Sequence, residues 1–217
     1  MEADREMNTD MYARSNTLMG NPQALDEGIA YIRDEMMPLL QQRDGFVGLS
    51  MLCDRDSGRC VVTTAWADEE AMHASEAGVA AGRERTAHVL GGSAPEVGEW
   101  EIAVMHRMHD GHDGACARVL WGEIDPAKAE DALSTFRMTM MPRMADLPGF
   151  CSVSLLVDRA TGRSAMTTCY DSREDMARAA GIATSMREEF SSAMGITLTD
   201  MAEFDLVLHH LRVPETV

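Results

Sequence analysis

The stretch MMPLLQQRDGF (residues 36–46) recurs later in the chain as MMPRMADLPGF (residues 140–150), at an offset of 104 residues. Further motifs match at the same offset: DRDSGR (54–59) with DRATGR (158–163), and TTAW (63–66) with TTCY (167–170). Without a gap, residues 13–108 match residues 117–212 at 24 of 96 positions. Similarity at one fixed offset indicates an internal repeat. We therefore predict two duplicated domains, residues 11–110 and residues 114–213.

Each copy predicts the same order of secondary structure. In the first copy, a strand over residues 11–19 precedes a helix that begins at Asn21-Pro22 and ends near Gln42, with Pro38 expected to bend it. A hairpin, a second helix and a last strand follow, over residues 46–66, 68–90 and 99–108. The order β-α-β-β-α-β is that of the ferredoxin-like unit, an antiparallel sheet with both helices on one face.

The hairpin of the first copy is apolar on both faces. Strict alternation places Phe46 and Leu52 on one face, and Val47, Leu49 and Met51 on the other. Because the helices of a ferredoxin-like unit cover only one face of its sheet, the second copy is expected to cover the other. The sequence therefore predicts an α+β fold in which two ferredoxin-like repeats form a pseudo-dimeric α+β barrel.

The composition excludes several classes of partner. The chain has 36 acidic residues against 19 Lys and Arg, which gives a formal net charge of -17. Such a charge repels phosphate backbones and anionic lipid, so we expect neither nucleic acid nor a membrane as partner. No apolar run approaches the ~18 residues of a membrane span, and we expect a cytoplasmic protein. The five cysteines show no CxxC spacing, which favours reduced thiols.

A histidine-rich stretch, MHRMHDGHD (residues 105–113), raises the question of a metal site. Imidazole and carboxylate are ligands of transition metals. In an extended strand, however, residues i and i+3 point to opposite faces, so His106 and His109 would converge on one ion only if the chain turned between them. The sequence therefore predicts no metal site.

The two copies differ in their polar and aromatic residues, and the first copy has the richer set. The differing pairs are Asn16 and Leu120, Trp66 and Tyr170, His73 and Ala177, and His88 and Ser192. We take the candidate catalytic residues to be Trp66, His73, Asn16 and His106. The candidate ligand-binding residues are Arg83, His88, Tyr170 and His210. A core role for Trp66, a surface role for His73 and an ion pair for Arg83 are open alternatives.

The chain resembles the antibiotic biosynthesis monooxygenase-like family of dimeric α+β barrels, in tandem. The resemblance is carried by Gly45-Phe46 after a Pro-containing helix end, by Asp54-Arg55 at the hairpin turn, and by Trp66, Ala71 and His73 in the pattern WxxxxAxH. The second copy matches with Pro148-Gly149-Phe150, Asp158-Arg159 and Tyr170. The resemblance implies a small ligand pocket between sheet and helices. It also implies that Trp66 and Asn16 would bind an electron-rich substrate and help to activate oxygen.

These observations favour a small-molecule-binding barrel whose partner is an apolar or aromatic molecule. Its enzymatic form would be a cofactor-independent monooxygenase of an aromatic or quinol-type substrate. In that form Trp66 and Asn16 would position the substrate, and His73 or His106 would take its proton, with no metal or organic cofactor. One alternative is a non-catalytic ligand-binding or stress-associated protein. Another is a haem-binding or haem-degrading protein, although the Trp-to-His spacing departs from that pattern. A homodimer of the chain is also open.

Overall fold

A computed structural model gives the structure of the protein and describes residues 10–215. The strands within this range are β1 (Tyr12–Met19), β2 (Phe46–Cys53), β3 (Arg59–Trp66), β4 (Glu96–Arg107), β5 (Cys116–Glu123), β6 (Phe150–Asp158), β7 (Arg163–Tyr170) and β8 (Thr197–Leu211). The α-helices are α1 (Leu25–Tyr31), α2 (Met37–Leu40), α3 (Glu69–Ala74), α4 (Glu76–Val89), α5 (Ala129–Thr135), α6 (Met141–Ala145) and α7 (Arg173–Met194). Across residues 10–215, no helix has the length and apolar character needed to cross a membrane.

The eight described strands form one closed antiparallel barrel in the order β1-β3-β2-β8-β5-β7-β6-β4. Within each repeat the order is that of a ferredoxin-like sheet, with the first strand between the third and the fourth. The barrel closes where β8 pairs with β2 and where β4 pairs with β6. The predicted α+β fold, two ferredoxin-like repeats in one pseudo-dimeric barrel, is confirmed.

The first helix of each repeat contains a widened turn before its proline. A π-helical segment, Ile32–Met36, joins α1 to α2, and its counterpart Phe136–Met140 joins α5 to α6. A proline inside a regular α-helix clashes with the carbonyl four residues earlier and leaves it without a donor. The π turn is a common way to relieve such a conflict within one helix. The helix therefore continues past Pro38 and Pro142 in both copies.

Alternation along the strands divides the core into helix-facing clusters and a barrel interior. Leu49 and Met51 pack under the helices of the first repeat, whereas Leu52 belongs to a cluster inside the barrel. Phe46 was expected to share the face of Leu52, and this expectation is wrong. A register irregularity between Phe46 and Gly48 shifts the pairing with β3, so Phe46 packs on the helix side instead.

A glycine at each hairpin turn holds the hairpin against the end of the first strand. Gly58 and Gly162 have φ of 79° and 77° and accept hydrogen bonds from the amides of Gly20 and Ile124 at 2.8 and 2.9 Å. A Cβ on Gly162 would lie 1.9 Å from the Ile124 carbonyl oxygen. Only glycine satisfies both the backbone conformation and the close approach at this turn.

Gly162→Ala is expected to lower the free energy of unfolding by about 1–3 kcal/mol, because it combines a left-handed conformation with a backbone clash. Gly181→Ala is the matched control, since an added Cβ at this α7 glycine meets nothing within 4 Å. It should raise the free energy of unfolding by about 0.5–1 kcal/mol through helix propensity. Urea unfolding of both variants measures the difference, and changes of the same sign would contradict the role of the turn.

Candidate ligand cavities in the two repeats

The larger cavity lies in the second repeat, between the helix-facing side of its sheet and its helices, and has a volume of about 140 Å³. Strands β5, β6 and β7 supply Leu120, Leu155 and Met166 to its wall. The helical wall comes from α5, the π segment and α7, with Leu133, Phe136, Met140, Ala183, Met186 and Phe190. These strands and helices therefore give the cavity a largely apolar wall.

The first repeat has a cavity in the equivalent place, but its volume is only about 50 Å³. Three positions have smaller side chains in the second copy, which favours a larger cavity there: Leu18 and Gly122, Leu25 and Ala129, and Val79 and Ala183. Phe136 and Phe190 change in the opposite sense, since their equivalents are Ile32 and Thr86. Gly122, Ala129 and Ala183 all line the larger cavity. The polar and aromatic differences between the copies led us to place the candidate site in the first repeat. The smaller residues at positions 122, 129 and 183 were the sequence signal for a cavity in the second repeat.

Polar and charged side chains also line the larger cavity, namely Arg118, Asp158, Arg159, Arg163, Ser164, Thr168, Tyr170, Arg187 and Ser191. Arg118 is held by Glu203, whose carboxylate accepts hydrogen bonds of 3.0 and 2.6 Å from the guanidinium. Thr168 and Tyr170 place hydroxyl-bearing side chains on the buried wall. Burial raises the pKa of Tyr170, so its phenol stays protonated near neutral pH. The cavity thus offers hydrogen-bonding hydroxyl groups and a neutralised cation to an otherwise apolar ligand.

The smaller cavity brings together three residues predicted from the sequence, namely Asn16, Trp66 and Arg83. Asn16 Nδ2 lies 3.5 Å from the carbonyl oxygen of Val62. Its buried Oδ1 has no hydrogen-bond partner within the described part of the chain. The indole of Trp66 is fully buried and donates to Thr64 Oγ1 at 3.1 Å. The unpaired buried acceptor of Asn16 is the feature of this cavity that a bound molecule or water would satisfy.

A buried arginine organises the charges around the smaller cavity. Arg14 is only 2% exposed and donates to Glu99 at 3.0 and 2.7 Å, while Glu76 lies 3.1 Å from its Nη1. The hydrogen bond from Arg83 holds the pKa of Glu76 below its ordinary value. Burial alone would raise the pKa of Glu99, but the hydrogen bonds from Arg14 and His73 outweigh it and lower the pKa. The carboxylates of Glu76 and Glu99 are therefore ionised at neutral pH.

His73 and His88 lie outside both cavities, on the surface of the first repeat's second helical region. The side chain of His73 is 54% exposed, and its Nε2 lies 3.1 Å from a carboxylate oxygen of Glu99. His88 is exposed in the last turn of α4. Neither imidazole lies beside Asn16 or Trp66, so the predicted catalytic set is not assembled in one place.

The symmetry-related His106 and His210 also lie outside both cavities. His106 stacks on Phe150 with ring centroids 6.3 Å apart. His210 Nε2 lies 3.4 Å from the side-chain nitrogen of Gln41, just after α2. Roles for these two histidines, as for His73 and His88, stay predictions.

The free energy of unfolding should fall as the pH drops below about 4.5, the ordinary pKa of Glu76 and Glu99. Their pKa values are lower in the folded protein, so their stabilisation is present above that pH and is lost as the pH falls through the folded values. Arg14→Met should weaken this acid dependence. Urea unfolding between about pH 7 and pH 3.5 measures it. Arg143→Met, at an exposed ion pair with Glu189, is the control and should keep the wild-type dependence.

Comparisons with known proteins agree with this architecture. The chain is 45% identical over 208 residues to "Uncharacterized protein Rv2558" of Mycobacterium tuberculosis, covering 95% of this chain and 88% of that protein. A crystal structure of an anthrone oxidase-like protein matches with a TM-score of 0.65 at 13% identity, over 94% of this chain and 93% of that one.

A ferredoxin-fold protein related to antibiotic biosynthesis monooxygenases, from Listeria monocytogenes, matches with a TM-score of 0.54 at 9% identity, over 98% of this chain and 100% of that one. No model of a known protein family matches the chain. At these identities the two solved structures show the fold alone, whereas the mycobacterial relative shows the family. The chain thus has the fold of antibiotic biosynthesis monooxygenase-like α+β barrels, and it belongs to the same family as Rv2558 of Mycobacterium tuberculosis.

Proposed function

We propose that the protein binds a small, largely apolar molecule in the cavity of the second repeat. The observation that carries this proposal is the volume of about 140 Å³ under apolar walls, where the equivalent space of the first repeat is about 50 Å³. A dry apolar cavity of about 150 Å³ is large enough to hold benzene. The expected ligand is therefore about the size of one aromatic ring, and a fused-ring molecule would have to widen the cavity.

The cavity walls favour a flat ligand with one polar substituent. Phe136 and Phe190 meet edge to face at 5.9 Å, an arrangement that offers a ring edge and a ring face to an aromatic guest. Met140 and Met166 can adjust their side chains to the shape of a ligand. The hydroxyl group of Tyr170 would form a hydrogen bond with a single polar substituent of the ligand.

Ala183→Phe is expected to weaken binding of one-ring aromatics such as phenol and toluene at least about tenfold, because the added ring occupies the cavity. Ligand-observed NMR or calorimetry with wild type and variant measures this. Val79→Phe is the matched control, since Val79 is the equivalent position and lines the smaller cavity. Binding that is lost in Val79→Phe and kept in Ala183→Phe would contradict the assignment to the second repeat.

A second candidate function is cofactor-independent oxygenation of a quinol-type substrate at Asn16 and Trp66, for which the cavity of about 50 Å³ would have to widen. The unpaired buried Oδ1 of Asn16 favours it, because a substrate hydroxyl could donate to that atom. The indole of Trp66 lines the same cavity and would pack against an electron-rich aromatic ring of the substrate. After the substrate loses a proton, its carbanion would reduce oxygen directly. His73 would take that proton only after leaving Glu99 and turning towards the cavity.

Oxygen consumption with a panel of quinols and anthrones tests this candidate. Asn16→Leu gives the first copy the residue of the second, and the rate should fall about tenfold, because the substrate hydroxyl loses the acceptor that positions it. Trp66→Phe and His73→Ala should also lower the rate. Tyr170→Phe, in the other cavity, should leave it unchanged. Equal rates in wild type and all variants would remove the oxygenase candidate while leaving ligand binding in the second repeat intact.

A further inference from the structure

The segment that connects the two repeats turns back on the sheet and brings two histidines together. Strand β4 ends at Arg107, and the amide of Met108 donates to the carbonyl of Cys151 at 2.8 Å. A second turn follows, in which the amide of Ala115 donates to the carbonyl of His112 at 3.1 Å. The imidazoles of His109 and His112 then lie roughly parallel, with ring centroids 6.4 Å apart. The turn that two histidines of this stretch need in order to converge is therefore present.

These side chains and one buried thiol all meet at a single oxygen of Asp171. Asp171 Oδ1 lies 3.3 Å from His109 Nε2, 3.1 Å from His112 Nε2 and 3.1 Å from Cys151 Sγ. The donor atoms of His109, Cys151 and Asp171 all lie within 4.8 Å of one another. The four residues come from three separate parts of the chain: the connecting segment, β6, and the residue after β7. Only the fold unites them.

The other nitrogen of each imidazole defines what the cluster can bind. His109 Nδ1 lies 3.1 Å from the carbonyl oxygen of Asp110, and His112 Nδ1 lies 2.9 Å from that of Asp113. Because a carbonyl only accepts, Nδ1 carries the hydrogen and a neutral ring presents the lone pair of Nε2. In the neutral form each Nε2 lone pair can bind a metal ion that lies between the ring and the carboxylate, whereas in the protonated form each Nε2–H donates a hydrogen bond to Asp171. Histidines that bind a metal through one ring nitrogen usually donate a hydrogen bond from the other nitrogen, often to a backbone carbonyl, and this fixes the orientation of the ring.

We propose that His109, His112, Cys151 and Asp171 form a four-coordinate site for a divalent transition-metal ion of the zinc type. Ligand atoms about 2.0–2.3 Å from zinc in a tetrahedron lie about 3.3–3.7 Å from one another. The three distances of 3.1–3.3 Å around Asp171 Oδ1 are close to that spacing. His112 lies outside the group of donor atoms that are within 4.8 Å of one another, so its imidazole would have to turn towards His109 and Cys151 to complete the site. Imidazole with thiolate selects zinc and similar ions over magnesium and calcium, which prefer oxygen ligands. Binding releases the thiol proton of Cys151 to solvent.

The first repeat shows that the fold does not require this cluster. At the equivalent positions of Cys151 and Asp171 it has Val47 and Ala67, and its barrel wall forms with the same strand order. The cysteine is 1% exposed, whereas the side chains of His109 and His112 are 46% and 48% exposed. The site is thus open to ions from solvent on one side and closed by the thiol on the other. A bound ion would fasten the inter-repeat connection to the strand that leads into α7, a wall of the larger cavity.

Cobalt titration of the full-length, metal-stripped and reduced protein tests the site, because Co²⁺ replaces Zn²⁺ in such sites and absorbs visible light. We expect a thiolate-to-cobalt charge-transfer band, the intense ligand-field bands of four-coordinate cobalt, and loss of both when one equivalent of Zn²⁺ is added. Cys151→Ser should abolish the charge-transfer band. His112→Ala, a change at an exposed residue, should weaken Co²⁺ affinity at least about 100-fold, more than loss of an outer partner does.

Two control variants separate this site from general cation binding by an acidic chain. Cys169→Ser changes a thiol on the neighbouring strand, and His88→Ala changes an exposed histidine of the first repeat. Both should keep the wild-type spectrum and affinity. A spectrum without the charge-transfer band, or equal affinity in wild type, Cys151→Ser and His112→Ala, would show that the four residues form only a hydrogen-bonded network. Either result would overturn the proposal without affecting ligand binding in the second repeat.

Discussion

Pairing between the repeats is the constraint on which the rest of the structure depends. The last strand of each repeat lies beside the second strand of the other, so β4 pairs with β6 and β8 pairs with β2. The closed barrel leaves its described strands without a free edge and buries an interior to which both repeats contribute, including Ala65 and Trp100 from the first and Leu156 and Ala165 from the second. Apolar clusters occupy the interior, and the two cavities described above lie outside it, between each sheet and its own helices.

The two repeats have the same backbone fold, whereas the side chains between sheet and helices differ. Both copies retain the turn glycine, the π segment before proline, and an arginine on the first strand paired with a glutamate on the last, as in Arg14 with Glu99 and Arg118 with Glu203. The first copy has the smaller cavity and a charge cluster around the buried Arg14. The second copy keeps this space open and places a thiol and a carboxylate beside the histidines of the connection. Duplication thus permits one half to specialise while both halves maintain the barrel.

The sequence predicted what depends on periodicity and repetition, and it missed what depends on packing in three dimensions. The element order and the barrel follow from the repeat. The helices of each repeat cover only one face of its sheet, so the second apolar face has to be covered by the other repeat. The face of Phe46 was wrong because a local register shift is invisible in an alternating pattern. The larger cavity depends on volumes summed over several elements, and the meeting of His109 and His112 with Asp171 depends on a turn. The cytoplasmic location, the homodimer and the haem alternative stay predictions.

The most direct test of the central claim, that the second repeat holds the open apolar cavity, is diffraction from crystals of the protein under xenon pressure. Xenon enters dry apolar cavities of about 150 Å³ and is located by its anomalous scattering. The structure predicts a well-occupied xenon site among Phe136, Met166 and Phe190, and weak or absent density beside Asn16 and Trp66. Xenon in the first repeat alone, or in neither repeat, would contradict the account.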